Sequence, residues 1–179
     1  MVMLKSVIAK SVKLYYKFNL MNESNKKLEK IVINVGTGRL SGQPNFDKIL
    51  PELTKELSAI TGQKPAVRPA KKSIAGFKLR TGTVVGLKTT LRQERMNEFL
   101  KKLVNVALPR LRDFRGIKKE AVDKNGNLTI GLKEHSVFPE VSLDITKVNF
   151  GMEITLVPKI RDREKSMDLY KQLGIPFSK

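Results

Sequence analysis

Lys88, Thr90 and Arg92 stand at alternate positions of TVVGLKTTLR, and Asn34 holds a comparable polar position in KIVINVG. In extended chain, residues two apart share a face, so these stretches can present an ammonium, a hydroxyl, a guanidinium and an amide side by side. Such a set can hydrogen-bond phosphate, a ribose 2′-OH and base edges together. The same residues also fit the plain solvent-facing side of a half-buried sheet.

A second constellation precedes the first. AKKSIAGFKLRTG, Ala70 to Gly82, sets Lys71, Lys72, Lys78 and Arg80 around Ser73, Ile74, Ala75, Gly76 and Phe77, with no acid. In a protruding loop over 70–82 the cations can hold phosphates while Ile74 and Phe77 pack on a ribose or a stacked base. Gly76 lets the backbone approach closely. The alternative is that Ile74 and Phe77 turn inward and cap the core.

Both constellations lie in a region of concentrated charge. From Leu57 through Gln93 there is no Asp or Glu, while Lys64, Arg68, Lys71, Lys72, Lys78, Arg80, Lys88 and Arg92 are all basic. The whole chain carries 35 Lys plus Arg against 17 Asp plus Glu, a net charge of +18. Such an excess repels itself unless a polyanion neutralises it. Nucleic acid is the first candidate and an anionic membrane surface the second. The mixture of hydroxyl, amide and guanidinium suits RNA better than a lipid headgroup layer. Apolar stripes on both mid-chain helical stretches argue against an exposed basic helix reading a DNA major groove.

Other chemistry is missing. Without cysteine there is no disulfide, thiolate zinc site or cysteine nucleophile. The single histidine, His135 in KEHSVFPE, makes no multi-histidine metal site and sits in no nucleophile elbow; it reads as partner-contacting or solvated. Glu94 and Glu98, one helical turn apart beside Arg92, Arg95 and Lys101, read as ion-pairing. VGTGRLSG invites a dinucleotide-binding reading, but Gly36, Gly38 and Gly42 have the wrong spacing and Pro44 follows. It reads as a turn-rich connection in which Arg39 can touch a phosphate. No enzyme activity, cofactor, metal or small-molecule substrate is expected. No apolar run approaches the roughly 18 residues of a membrane span, and no secretory signal is evident, so an intracellular chain with no membrane association is expected.

The elements that must position these groups follow from periodicity. At 179 residues the chain suits a single domain. KIVINVG alternates as a strand with one buried face. FDKILPELTKELSAITG carries a helical stripe ending at Gly62, with Pro51 marking either a kink or the true start. KPAVRPAK and TVVGLKTTLR form a hairpin with a long loop, followed by the helix QERMNEFLKKLVNVALP, stopped before Pro109. DKNGNLTIGLKE reads as a turn into a strand, GMEITLVP as a further strand, and DREKSMDLYKQLG as a closing helix. Residues 1–26 read as an N-terminal amphipathic helical region, with a transit peptide as the alternative. The sum is an α+β domain: a largely antiparallel sheet with helices on one face and the other face open as an RNA-binding face.

KIVINVG, TGQKPAVRPAKKSIAGFKLRTG, VGLKTTLRQERMNEFLKKLVNVALPRLRDFRGI, GNLTIGLKEHSVFPE, GMEITLV and LGIPF resemble, in order and spacing, the bacterial-type large-subunit ribosomal protein five, a 5S-rRNA-binding family. The likeness runs from Lys27 to Phe177. It implies a structural constituent of the large subunit that holds 5S rRNA in the central protuberance and touches 23S rRNA. It also implies contact with peptidyl-site tRNA through Ala70 to Arg80 and, across an inter-subunit bridge, with small-subunit ribosomal protein thirteen. The family's rRNA contacts match Asn34, Gln63, Thr90 and Arg92, beside which Lys64, Arg68 and Lys88 supply charge. The bridge surface corresponds to Arg110 to Gly116, with Arg110, Arg112 and Arg115, and to the segment from His135 to Asn149. A ribosome-bound, cytoplasmic protein is implied, or an organellar one; a general basic RNA chaperone or extra-ribosomal regulator is the alternative. NLMNESNKK replaces the family's proline-led entry to the first strand, GRLSGQPN is unusually basic, Pro51 and His135 are atypical, and KVNFGMEI lacks the arginine that often precedes the glycine.

Overall fold

Alternating apolar residues build the sheet, and burial follows the alternation. The computed structural model describes residues 27–178 except 39, 42–44, 78, 113 and 142–147. The helical region expected over residues 1–26, Arg39 and Lys78 therefore lie outside the described residues. Five strands, β1 (Leu28–Gly36), β2 (Ala66–Pro69), β3 (Val84–Leu91), β4 (Leu128–Leu132) and β5 (Met152–Pro158), form one sheet in the order β2-β3-β1-β5-β4. Every neighbouring pair is antiparallel, as the α+β reading expects.

Ile31, Ile33, Leu91, Ile154, Leu156 and Leu128 are fully buried on one side of this sheet. Each buried aliphatic side chain contributes about 1.5–3 kcal/mol relative to exposure. A slip of one residue in any strand would move its whole set to water, so burial also determines which residues occupy the opposite face.

Helices α1 (Phe46–Thr61), α2 (Gln93–Lys102) and α3 (Arg163–Gln172) bury Leu53, Leu57, Phe99, Leu100, Leu169 and Tyr170 in the same core. Proline lacks an N–H, but Pro51 lies within α1 without ending it. The helix starts ahead of it, where Lys48 and Ile49 N–H donate to Asn45 O at 3.0 and 3.2 Å. Gly62 closes α1 in the left-handed region (φ 67°) and donates to Ser58 O at 2.8 Å.

The end of α2 differs from the sequence reading. Instead of stopping before Pro109, the chain continues through a π-helical turn, Leu103–Ala107, into a last turn, Leu108–Arg110. The wider π turn accommodates a ring that would otherwise meet the carbonyl of the preceding turn. Gly126 turns the chain into β4 at φ 80°, and Tyr170 Oη donates to its carbonyl at 2.7 Å and to Leu156 O at 3.1 Å. The closing IPF segment pairs with Ile117, whose N–H donates to Pro176 O at 2.8 Å.

Candidate nucleic-acid interface

Strand register decides which polar groups meet on the sheet face that the helices leave uncovered. Asn34 of β1 lies between Lys88 of β3 and Glu153 of β5, with Ala66 and Gly131 at the ends of that row. The next row runs Thr90, Val32, Thr155, Thr129, and the two threonine hydroxyls of β5 and β4 are 3.3 Å apart. Arg68, exposed on β2, pairs with Gly86, which pairs with Gly36. Paired residues share a face, so Asn34, Lys88 and Thr90 are brought together as the alternation predicts, and the β2 register adds Arg68 to them. The side chains of Asn34, Lys88 and Thr90 make no hydrogen bond or ion pair among the described residues.

Gln63 and Arg92 flank β3 at its end. The Gln63 amide donates to Thr90 O at 3.3 Å and accepts from Arg95 Nη1 at 3.4 Å. Lys64 follows, exposed, on the approach to β2. Arg92 is exposed and extended (φ −139°), the last residue before α2, and its carbonyl accepts from Met96 N at 3.4 Å. Gln93 opens α2 at φ 53°, an uncommon conformation for a side-chain-bearing residue. Beside this edge, Lys30 donates to Glu29 at 3.0 Å and holds that carboxyl below its usual range, with Arg92 and Arg161 adding to the pull.

The loop over 70–82 extends the β2–β3 hairpin. Ala70 and Gly82 N–H bond across its base at 2.8 and 3.0 Å, Ser73 Oγ meets Thr81 Oγ1 and accepts from Thr81 N at 3.0 Å, and Ile74 bridges Leu79. Ala75–Phe77 form a single 3-10 turn at the tip. Phe77 is 82% exposed and Ile74 46% exposed. The alternative in which they cap the core is thus overturned, because these rungs carry the tip beyond its reach. Lys71, Lys72, Ser73, Ala75, Gly76 and Arg80 are exposed as well.

Arg110, Arg112 and Arg115 are exposed and line a cleft of about 990 Å³ together with Lys133, Glu134 and Ser136. The two segments expected on the bridge surface therefore adjoin. His135, expected there as partner-contacting or solvated, faces the other way and is 1% exposed. Its ring stacks on Phe150 at 3.9 Å between centroids, its Nδ1 lies 3.2 Å from Asn149 Oδ1, and its Nε2 lies 3.1 Å from Glu56 Oε2 of α1. The aromatic stack and the Asn149 contact offset part of the desolvation of an imidazole, while Nε2 and Glu56 Oε2 approach each other without hydrogen-bond geometry; alternation in a short irregular segment could not reveal this burial. Asn149 itself is exposed.

Beside the sheet, Thr37 N–H donates to Val85 O at 2.9 Å, and Leu40 and Ser41 fold back onto Thr37 O, a turn of the kind expected from VGTGRLSG. No group of metal-ligating side chains occurs among the described residues. None of their helices is long and apolar enough to cross a membrane.

Two family models match this chain. One, described as ribosomal protein L5, covers residues 22–80. The other, describing the C-terminus of the same ribosomal family, covers residues 84–177. The chain belongs to the ribosomal protein L5 family. Members are structural, RNA-binding ribosomal proteins rather than enzymes. The large ribosomal subunit protein uL5 of Oceanobacillus iheyensis is 52% identical over 153 residues, 86% of this chain and 84% of the relative. That of Halothermothrix orenii is 47% identical over 152 residues, 85% and 83% respectively. The two family matches meet at the exposed loop, yet the sheet interleaves them: β3, from the second, lies between β2 and β1 of the first.

The sequence reading missed Glu153, Thr155 and Thr129 as members of the open face. GMEITLVP did announce Glu153 and Thr155 by alternation. Nothing local announced that β5 would lie against β1.

Proposed function

We propose that the chain is a structural constituent of the large ribosomal subunit, binding 5S rRNA through the open sheet face and helping to attach it in the central protuberance beside 23S rRNA. The observation that carries this reading is the cluster of Asn34, Lys88 and Thr90 side chains, set in two adjoining rows by register and without partners among the described residues, on the face opposite the helices. Lys64, Arg68, Lys88 and Arg92 serve phosphates, and Thr90 and Asn34 serve the 2′-OH and base edges. Gln63 braces the end of β3 through Thr90 O. The hairpin tip, with Phe77 and Ile74 as apolar contacts and Lys71, Lys72, Lys78 and Arg80 as phosphate contacts, meets peptidyl-site tRNA. The cleft between Arg110–Gly116 and Lys133–Val137 receives small-subunit ribosomal protein thirteen. The protein works bound to the ribosome.

The test is titration of a bacterial 5S rRNA transcript with the full chain, beside an unrelated hairpin RNA of equal length. Tighter binding to 5S rRNA, weakened by Thr90→Ala with Arg92→Ala, is expected. Equal affinity for both RNAs would favour a general RNA chaperone, and an unaffected double variant would remove the sheet-face assignment.

A further inference from the structure

The only acids on the five strands are Glu29 and Glu153. Glu29 is answered by Lys30 at 3.0 Å. Glu153 is exposed on the open face, on the strand between the central β1 and the edge strand β4, and makes no hydrogen bond or ion pair among the described residues. In a chain of net charge +18, that isolation is informative. A carboxylate on a phosphate-binding face repels the backbone of every RNA, whatever its sequence.

Its neighbours define what would favour it. Across the strands the row reads Lys88, Asn34, Glu153, Gly131: donors on one side, a carboxylate next, and then a position with no side chain. A Cβ added at Gly131 would meet nothing within 4 Å, so open space adjoins the carboxylate. A carboxylate offers only acceptors, a lysine only donors, and an amide both. Guanine presents an acceptor, O6, followed by two adjacent donors, N1–H and N2–H₂, along its Watson–Crick edge. Cytosine, uracil and adenine have no such pair of adjacent donors. Neighbouring strands are ~4.8 Å apart, a spacing comparable with the width of that edge. A base must be unpaired to offer it, which is how single-stranded RNA is read.

We infer that Glu153, with Asn34 beside it, recognises the Watson–Crick edge of an unpaired guanine in the RNA bound on the open face. The carboxylate accepts from N1–H and N2–H₂, and Asn34 Nδ2 donates to O6. Glu153 is therefore a specificity residue on a surface whose other charges act without regard to sequence. This inference rests on the reading of the sheet face as the rRNA-binding surface.

The test uses the full chain, a bacterial 5S rRNA transcript, and kethoxal, which modifies N1 and N2 of unpaired guanines. Wild-type protein should shield a guanine that Glu153→Gln leaves reactive. The same variant should bind the transcript about tenfold more weakly or worse, while its affinity for an unrelated hairpin of equal length holds or rises as a negative charge is lost. Glu153 is exposed and isosteric with glutamine, so the fold is not at stake. If Glu153→Gln binds as tightly as wild type or tighter, with guanine reactivity unchanged, while Thr90→Ala with Arg92→Ala weakens binding, this inference alone is overturned. If the double variant binds as wild type does, the sheet-face reading falls and this inference falls with it.

Discussion

Replacing Arg68 and Lys88 together by glutamine tests the electrostatics of the open face most directly. Arg68 and Lys88 occupy adjoining rows, opposite Gly86 and between Ala66 and Asn34 respectively, and neither forms an ion pair among the described residues. Glutamine keeps much of the aliphatic stem that covers the sheet, so charge is removed with little loss of packing. Each phosphate contact adds about −0.7 to −0.9 to the slope of log affinity against log salt. Losing two should make the slope shallower by about 1.4–1.8. At 0.1 M salt that corresponds to about 25- to 60-fold weaker binding, shrinking toward parity as salt nears 1 M. Fluorescence titration of labelled 5S rRNA across a salt series measures both quantities, and urea melts followed by circular dichroism check that stability is unchanged. An unaltered slope, whatever the affinity, would refute the assignment of these cations to phosphates.

Three further outcomes are expected elsewhere in the molecule. Phe77→Ala, at an 82% exposed position, should change stability by less than about 0.5 kcal/mol and spare 5S rRNA binding while weakening retention of peptidyl-site tRNA; loss of 5S rRNA binding would return the tip to the main RNA site. Gly126→Ala should cost about 2 kcal/mol or more in urea melts, because the added Cβ would fall 2.2 Å from Ser166 Oγ at φ 80°, and Ser166 is fully buried. Burial pushes the Tyr170 phenol above its ordinary range. The folded state then holds a proton that the unfolded chain releases, so stability is fully present below about pH 10 and falls as pH rises beyond it. Tyr170→Phe should cost about 1–2 kcal/mol at neutral pH, through the hydroxyl's bonds to Gly126 O and Leu156 O, and should flatten the alkaline decline measured by urea melts at about pH 8 to 11.

Legibility followed the range of the interaction concerned. Alternation in KIVINVG and TVVGLKTTLR assigned Asn34, Lys88 and Thr90 to the uncovered side, because buried neighbours such as Ile33 and Leu87 leave them no other. The helical stripe of α1 was equally plain, while Pro109 misled because a π turn is invisible to a helical period of about 3.6 residues. His135 misled for a different reason: Glu56 and Phe150, its partners, are distant in sequence.

By itself the sequence determined an α+β chain, one sheet face for the core and one for polar groups, a charge that calls for a polyanion, and the order of motifs that resembles an RNA-binding family. These are properties of local period and composition, which each segment carries wherever it lies. Tertiary structure alone decided that β5 pairs with β1, placing Glu153 beside Asn34. It also decided that Phe77 points to solvent and that His135 is buried. Those outcomes depend on which segments meet, and strand pairing and side-chain burial are settled by the best joint packing of the core rather than by any stretch of chain read alone.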